Sequence, residues 1–455
     1  MNARADVMHR SSEAVAGAAP ARIPWGFAEL FVISQTVLPA ILILPGTQAF
    51  RLPIRVSAFV LPLAAFVWWN VNSEVRVRPS RAQGWLLGVM FLLALMLFHP
   101  QTPSLQGGLA HLAVYFAVMT PLFWAPAFVR TPEHLARILW ILLVCSGVNA
   151  VVGVLQVYDP QRWMPAKFSH VSLGGMGLGP SSYLGPNGRV IVRPPGLFDT
   201  PGSVAGPAAY AALLGLVFAV SALPAWKRLL SFVFAGAGLA AIYLTQVRIS
   251  LVIALGMMIV YALVAARQGR VGRATQFAVL AGSIVVGAFV LAVSLGGPTI
   301  VERINTLTAS DPYSVYHGAR GVQLESTFGQ MLTDAPLGAG LGRWGMAGGY
   351  FGTAGSGKGL WAEIQFTGWM IDGGVPMIAL YLAALIVTAF AQYRVARAVR
   401  YSRLAQCGAV ILAADLGTAA MIFTFTPFVA QVGIQYWFLA GALHGVAQRY
   451  GIEGA

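Results

Sequence analysis

The chain has little charge and almost no cysteine. Only 10% of its 455 residues are charged, whereas about a quarter is usual in soluble proteins. With 57% hydrophobic residues and a mean hydropathy of +0.72, a soluble protein of this size could not bury its apolar surface. This excludes a cytosolic enzyme and a disordered protein. The two cysteines, Cys145 and Cys407, lie in apolar runs, which excludes a disulfide scaffold. A polytopic membrane protein remains.

Long apolar runs dominate what is present. About twelve of them can cross a bilayer, and they must be helical because lipid offers no partners to free backbone groups. We therefore predict an all-α polytopic membrane protein with about twelve transmembrane helices. The runs cover roughly residues 27–45, 54–72, 83–98, 109–129, 136–157, 202–222, 229–246, 249–266, 275–296, 365–390, 404–426 and 430–448.

The basic residues predict the orientation of these spans. The formal charge of +14 could suggest a nucleic acid partner, but most Lys and Arg residues fall in alternate loops. The pattern indicates cytoplasmic N- and C-termini and requires no nucleic acid, and some inner arginines would contact anionic membrane lipid. Among the short outer loops, only the one with Arg51 and Arg55 departs from this pattern of basic residues. Residues 1–24 lack the apolar core of a signal peptide and are predicted to form a cytoplasmic tail.

Two long segments are predicted on the outer side, at residues 159–200 and 297–362. Long connections without regular structure are usually functional, and both are rich in Gly, Pro, Ser and Tyr. We therefore predict one membrane domain, residues 25–450, whose two periplasmic segments form an outward-facing site. These loops lack an Asp-x-Asp pair or a His/Cys cluster, so we expect neither a metal nor another cofactor.

Few ionisable residues fall inside the predicted spans. Glu29, His111 and Asp415 are the clear examples, and intramembrane charges are functional candidates by default. They are scattered along the chain without proton-relay spacing. Hydrogen bonds that pair helices are the simpler interpretation.

Three arginines stand out on the predicted outer surface. Arg193 precedes the sixth span, Arg248 lies in a hairpin so tight that two spans almost join, and Arg320 lies in the second long segment. The planar guanidinium suits phosphate oxygens, so the three arginines indicate a phosphate-bearing ligand at headgroup depth. Contact with lipid headgroups is the alternative.

Two further features flank the tenth span. The glycine-rich stretch 336–342 lacks the Lys-Ser/Thr pair of a phosphate loop and is predicted to form tight turns that allow close backbone packing. Glu363 lies near the start of the span, where it could accept helix amides or act as a general base. Asp372 lies deeper and could pair with a basic group or cap packing at Gly373 and Gly374.

Taken together, these motifs resemble the O-antigen ligase / Wzy polymerase superfamily of bacterial envelope glycosyltransferases. Arg193-Pro-Pro-Gly196-Leu-Phe198 is similar to the family's Arg-x-x-Gly-x-Phe, and residues 244–248 to its Leu-Thr-x-Ser-Arg. Arg320 followed by residues 336–342 resembles an Arg and then Pro-Leu-x-Gly-x-Gly. Before the tenth span the family often has His-Asn, where this chain has Glu363-Ile364, and this departure favours the more varied polymerase branch.

The resemblance implies a GT-C-like fold with a long periplasmic loop between the ninth and tenth helices. It implies an inverting, metal-independent polymerase of the bacterial inner membrane that extends an exopolysaccharide or O-antigen. The partners would be an undecaprenyl-diphosphate-linked glycan donor and a glycan acceptor. A chain-length regulator would be a further partner. Arg193, Arg248 and Arg320 would bind the diphosphate, and Glu363, or else His317, would deprotonate the acceptor hydroxyl.

Two alternatives stay open. A ligase would use the same donor but transfer the glycan to lipid A-core or to protein. A transporter or flippase for a lipid-linked sugar belongs to another class, and such proteins usually place broken helices and polar groups at the midplane. Here the unusual residues lie at the predicted outer rim, which favours chemistry at a surface.

Overall fold

The computed structural model describes residues 24–72, 78–165, 168, 181–305, 311–351, 360 and 362–452. This part of the chain is almost entirely helical, which confirms the all-α class. Eight helices are long and apolar enough to cross a membrane, and three shorter apolar helices accompany them. The chain therefore has the character of a multi-pass membrane protein, while the number of twelve spans stays a prediction. The predicted tail, residues 1–24, falls outside the described residues except for its last residue.

Each of the twelve apolar runs contains a helix, and two short antiparallel strands lie between the sixth and eighth helices. The helices of the described residues are α1 (Phe27–Ala40), α2 (Arg51–Asn72), α3 (Arg81–Met96), α4 (Leu105–Met119), α5 (Pro121–Phe128), α6 (Pro132–Tyr158), α7 (Pro160–Trp163), α8 (Ala205–Ala219), α9 (Ala225–Thr245), α10 (Arg248–Arg267), α11 (Val271–Gly296), α12 (Thr299–Asn305), α13 (Pro312–Tyr316), α14 (Val322–Ser326), α15 (Leu332–Asp334), α16 (Gly345–Phe351), α17 (Gln365–Arg397), α18 (Ser402–Ala420) and α19 (Gln431–Arg449). The strands are β1 (Ser182–Leu184) and β2 (Val190–Val192).

The core of the bundle surrounds α8, which packs against α6, α9, α10 and α18. Small residues bring α8 and α9 close together. A Cβ atom on Gly215 would lie 2.6 Å from the carbonyl oxygen of Ser231, and one on Gly238 would lie 2.6 Å from that of Ala208. Small residues at helix contacts are typical of membrane bundles, where close backbone approach replaces the hydrophobic effect.

The long helix α17 is interrupted at Gly374, which has a left-handed backbone (φ 63°). The preceding glycine-rich stretch fills the break, because the amide of Val375 donates to the carbonyl of Pro336 at 2.9 Å and that of Ala339 donates to Ile371 at 2.6 Å. This stretch runs through tight turns at three glycines with positive φ and packs against residues 102–108. The structure thus confirms the prediction of close backbone packing.

The described parts of the predicted outer loops gather at one end of the bundle, here called the long-loop end (residues 181–204, 246–247, 297–305, 311–351 and 362–364). The side chain of Gln246 reaches Thr299 at 3.1 Å, and the Thr299 hydroxyl donates to the carbonyl of Leu184 at 2.9 Å. Gly297 lies against Pro186. At the opposite end, Arg449 donates to the carbonyl of Val129. Described residues of the two predicted outer segments thus contact each other, and the side of the membrane that each end faces stays a prediction.

Candidate functional site: an arginine cluster at the long-loop end

Arg193, Arg248 and Arg303 come together at the long-loop end from three separate elements. Arg193 follows β2, Arg248 begins α10 and Arg303 lies in α12. The hydrogen bonds through Thr299 join the α9–α10 hairpin, α12 and β1. Since Arg303 is four residues after Thr299, the two lie on the same face of α12. Arg303 is therefore held toward both other guanidinium groups and repels each of them electrostatically.

The environment of the cluster is strongly positive and partly dry. Burial, and to a smaller degree the charge of Arg303, lower the pKa of Arg193. The Arg193 Nε is buried and has no hydrogen-bond partner among the described residues. Arg248 and Arg303 line the same small pocket, and a multivalent anion is attracted to like positive charges grouped in this way. The arrangement can therefore bind a phosphate or diphosphate group.

Two buried amides of α6 fix the loop that carries Arg193. Gln156, fully buried, accepts from the Gly196 amide and donates to the Gly196 carbonyl, both at 2.8 Å. Asn149 accepts from the amide of Leu197 at 3.1 Å. Gly196 has φ 66°, and a Cβ there would lie only 2.0 Å from the Asn149 Oδ1. The Arg-x-x-Gly motif thus requires glycine at this position, because the backbone has a positive φ and because there is no space for a Cβ atom.

Asp199 ties the same loop to the start of α2. Its buried carboxylate lies 3.0 Å from the Nε of Arg51 and also forms an ion pair with Arg55. Arg55 also donates to the hydroxyl of Tyr350 at 3.4 Å. These contacts explain the two arginines that broke the charge pattern of the short outer loops, because both pair with one buried carboxylate.

Arg320 and Glu363 form an ion pair, which is the second part of the candidate site. Glu363 directly precedes Ile364, the N-cap residue of α17, and its backbone amide donates to the Oε1 of Gln323 at 3.0 Å. Its side chain contacts a guanidinium, and the alternative role as an acceptor of helix amides stays a prediction. Arg320 also reaches the carbonyl of Thr424 at 3.4 Å, and burial lowers its pKa.

His317 lies one turn before Arg320, on a helical stretch that alternates α and π turns. Its Nε2 lies 2.9 Å from a carboxylate oxygen of Glu325, and its ring stacks on Tyr313. A carboxylate at one ring nitrogen can orient an imidazole so that the other nitrogen accepts a proton. Both Glu363 and His317 therefore keep the chemistry of a general base.

A buried polar cluster lies deeper, around Asp372. Its carboxylate accepts hydrogen bonds from Tyr115 at 2.7 Å and from the indole of Trp344 at 3.0 Å, and lies 3.2 Å from His111. Glu29, His111 and Asp415 stay apart from one another, and the prediction that Asp372 pairs with a basic group is confirmed by its contact with His111. Asp372 pairs with these groups and holds Trp344 at the end of the glycine-rich stretch.

The other two intramembrane carboxylates take the simpler role. Glu29 of α1 pairs with His134 and Arg137 of α6, and Asp415 of α18 accepts a hydrogen bond from Gln392 of α17. The prediction of hydrogen bonds that pair helices is confirmed for both.

The structure divides the five predicted site residues into two groups. Arg193 and Arg248 belong to the arginine cluster, while Arg320, Glu363 and His317 occupy the second long segment and the start of α17. Sequence reasoning missed Arg303. It also missed Asn149 and Gln156, although two amides seven residues apart on one face of an apolar helix were a signal available in the sequence.

Comparison with known proteins adds no relative. The chain matches no known family, and no curated protein shows significant sequence similarity to it.

Proposed function

We propose that the chain is a membrane glycosyltransferase that polymerises undecaprenyl-diphosphate-linked repeat units of an exopolysaccharide or O-antigen. The observation that supports the proposal is the arginine cluster at the long-loop end, where Arg248 and Arg303 line one pocket and hydrogen bonds through Thr299 join the surrounding elements. Because basic residues concentrate at the other end, we assign the long-loop end to the periplasmic face of the bacterial inner membrane.

The arginine cluster would act on the leaving group. In the reaction, an acceptor hydroxyl attacks the anomeric carbon of the donor sugar from the face opposite the diphosphate. The bond from that carbon to the diphosphate oxygen breaks, and undecaprenyl diphosphate leaves with the added negative charge. Preorganised cations stabilise such charge more in the transition state than in the ground state, which is worth about 10²–10³ in rate per donor removed.

The general base would be Glu363, with His317 as the alternative. Glu363 is a quarter exposed and is oriented by Arg320, so an acceptor hydroxyl can reach its carboxylate. The hydroxyl proton would pass to this carboxylate as the new glycosidic bond forms. No metal enters this scheme, because the guanidinium groups supply the positive charge.

The test is a glycan assay in cells that lack the gene. Complementation with wild type, Arg193→Gln, Arg248→Gln or Arg303→Gln at matched expression is followed by sizing of lipid-linked and surface glycans. We expect single repeat units to accumulate with each variant and polymer to return with wild type. Arg189→Gln is the matched control, because Arg189 is an exposed arginine at the same end whose backbone lies in the turn before β2. Full rescue by Arg303→Gln would contradict the proposal.

The same assay separates the alternatives. A ligase would leave long lipid-linked polymer unattached, since it uses the same donor and differs in the acceptor. A transporter gains some support from the break at Gly374, because broken helices are common in that class. However, the chain's own loop fills this break, and a transporter deficiency would leave repeat units on the inner leaflet.

A further inference from the structure

A second charged region lies at the opposite end of the bundle, away from the arginine cluster. A cavity of about 970 Å³ opens there between α3, α17 and α19. Arginines from different elements line it, namely Arg78, Arg81, Arg394 and Arg449. Glu29 and Glu133 do not line the cavity. No lining residue in the described part of the chain is acidic. The cavity is therefore a basic pocket built from α3, α5, α17, α19 and residues that flank these helices.

The positive charge of this cavity favours an anion with several oxygen acceptors. Arginine forks match phosphate oxygens in geometry as well as charge. Ser80 caps α3 at the rim of the cavity, so the N-terminal end of the α3 dipole adds to the positive potential. Arg449 is held in place by the carbonyls of Val129, Gly445 and Pro126, to which it donates, and it contributes its charge to the cavity.

The inner wall of the cavity has a different chemistry. Leu122, Val387 and Leu443 line it beside Gln392. Gln392 is only 3% exposed, its amide nitrogen donates to Asp415, and its Oε1 has no hydrogen-bond partner among the described residues. A buried acceptor that lacks a donor is costly, and a ligand hydroxyl would satisfy it. The cavity thus combines phosphate-binding arginines, an acceptor for a hydroxyl and an apolar wall.

We propose that this cavity binds a phosphate group that carries a neighbouring hydroxyl, as in glycerol phosphate. Two sources offer this chemistry, the headgroup of an anionic phospholipid and a soluble phosphate ester. The inference is independent of the glycosyltransferase proposal, because its residues lie at the other end of the bundle.

The test measures ligand-induced stabilisation of the purified full chain in neutral detergent. The thermal unfolding midpoint, followed by tryptophan fluorescence, is titrated with phosphatidylglycerol, phosphatidylcholine or glycerol 3-phosphate. Ligands that bind the folded state raise the midpoint. We expect phosphatidylglycerol to raise it and phosphatidylcholine not to. A response to glycerol 3-phosphate as well would identify the soluble ester as a sufficient ligand, and a response to the lipid alone would identify the phospholipid.

Two variants test the location. Arg78→Gln with Arg81→Gln is expected to raise the apparent Kd about tenfold or more, and Ala391→Trp should do the same by filling the cavity without a change of charge. The matched control, Arg397→Gln with Arg400→Gln, removes two exposed arginines from the same end that do not line the cavity. The proposal is overturned if neither phosphate probe raises the midpoint, if the control loses as much affinity as the cavity variant, or if Ala391→Trp binds normally.

Discussion

Asp199 and Glu363 are both carboxylates paired with arginine at the long-loop end, but they differ in burial. The Asp199 side chain is 4% exposed and contacts two arginines, whereas that of Glu363 is 26% exposed and contacts one. Removal of one partner of a buried ion pair strongly destabilises the folded protein, whereas exposed ion pairs contribute little to its stability. The buried pairs of Asp199 are therefore expected to hold the structure, whereas the pair of Glu363 is accessible to a ligand.

The largest effect on stability is expected from Asp199→Asn. This change leaves Arg51 and Arg55 without their carboxylate in a buried place, and we expect the free energy of unfolding to fall by about 3–5 kcal/mol. Chemical unfolding in detergent measures it. Glu302→Gln removes an exposed carboxylate at the same end and should change stability by less than about 0.5 kcal/mol. A loss below 1 kcal/mol for Asp199→Asn would show that its burial does not matter.

Gly196→Ala should have the next largest effect. The new Cβ would collide with Asn149 and strain a left-handed backbone, so we expect a loss of about 2 kcal/mol or more in stability. Gly188→Ala is the control, because Gly188 also has positive φ (71°) but open space around it. It should lose only about 1 kcal/mol from strain. Equal losses in the two unfolding experiments would mean that the contact with Asn149 does not hold the arginine loop.

The smallest effect on stability is expected from Glu363→Gln. Because the pair with Arg320 is partly exposed, the free energy of unfolding should fall by no more than about 1 kcal/mol. Glycan polymerisation should nevertheless fall steeply if the carboxylate accepts the hydroxyl proton, by about 10² or more. His317→Gln is the companion variant in the same two assays. Normal polymer length with Glu363→Gln and loss with His317→Gln would transfer the base role to the histidine.

Local features were predictable from the sequence. The apolar runs predicted the helices, and the tight hairpin before Arg248 exists because Gln246 adopts a left-handed backbone, φ 55°, that closes it in two residues. The glycine-rich stretch packs closely, as expected for residues without a Cβ. Each of these depends on neighbours in the chain.

Partners distant in the sequence were not predictable. Arg303 joins the cluster only because Thr299 bridges to Gln246 and β1. His111 and Asp372 lie far apart in the sequence but are close in space. Such a pairing depends on the three-dimensional fold, which the sequence pattern does not give.

The break at Gly374 has a consequence for how the protein is made. A spanning helix with open backbone groups enters lipid at a high free-energy cost. Here the segment that satisfies those groups, residues 336–339, is synthesised just before α17. These residues are therefore already available when α17 leaves the ribosome. Membrane insertion of α17 and docking of the glycine-rich stretch can then proceed as one step of biogenesis.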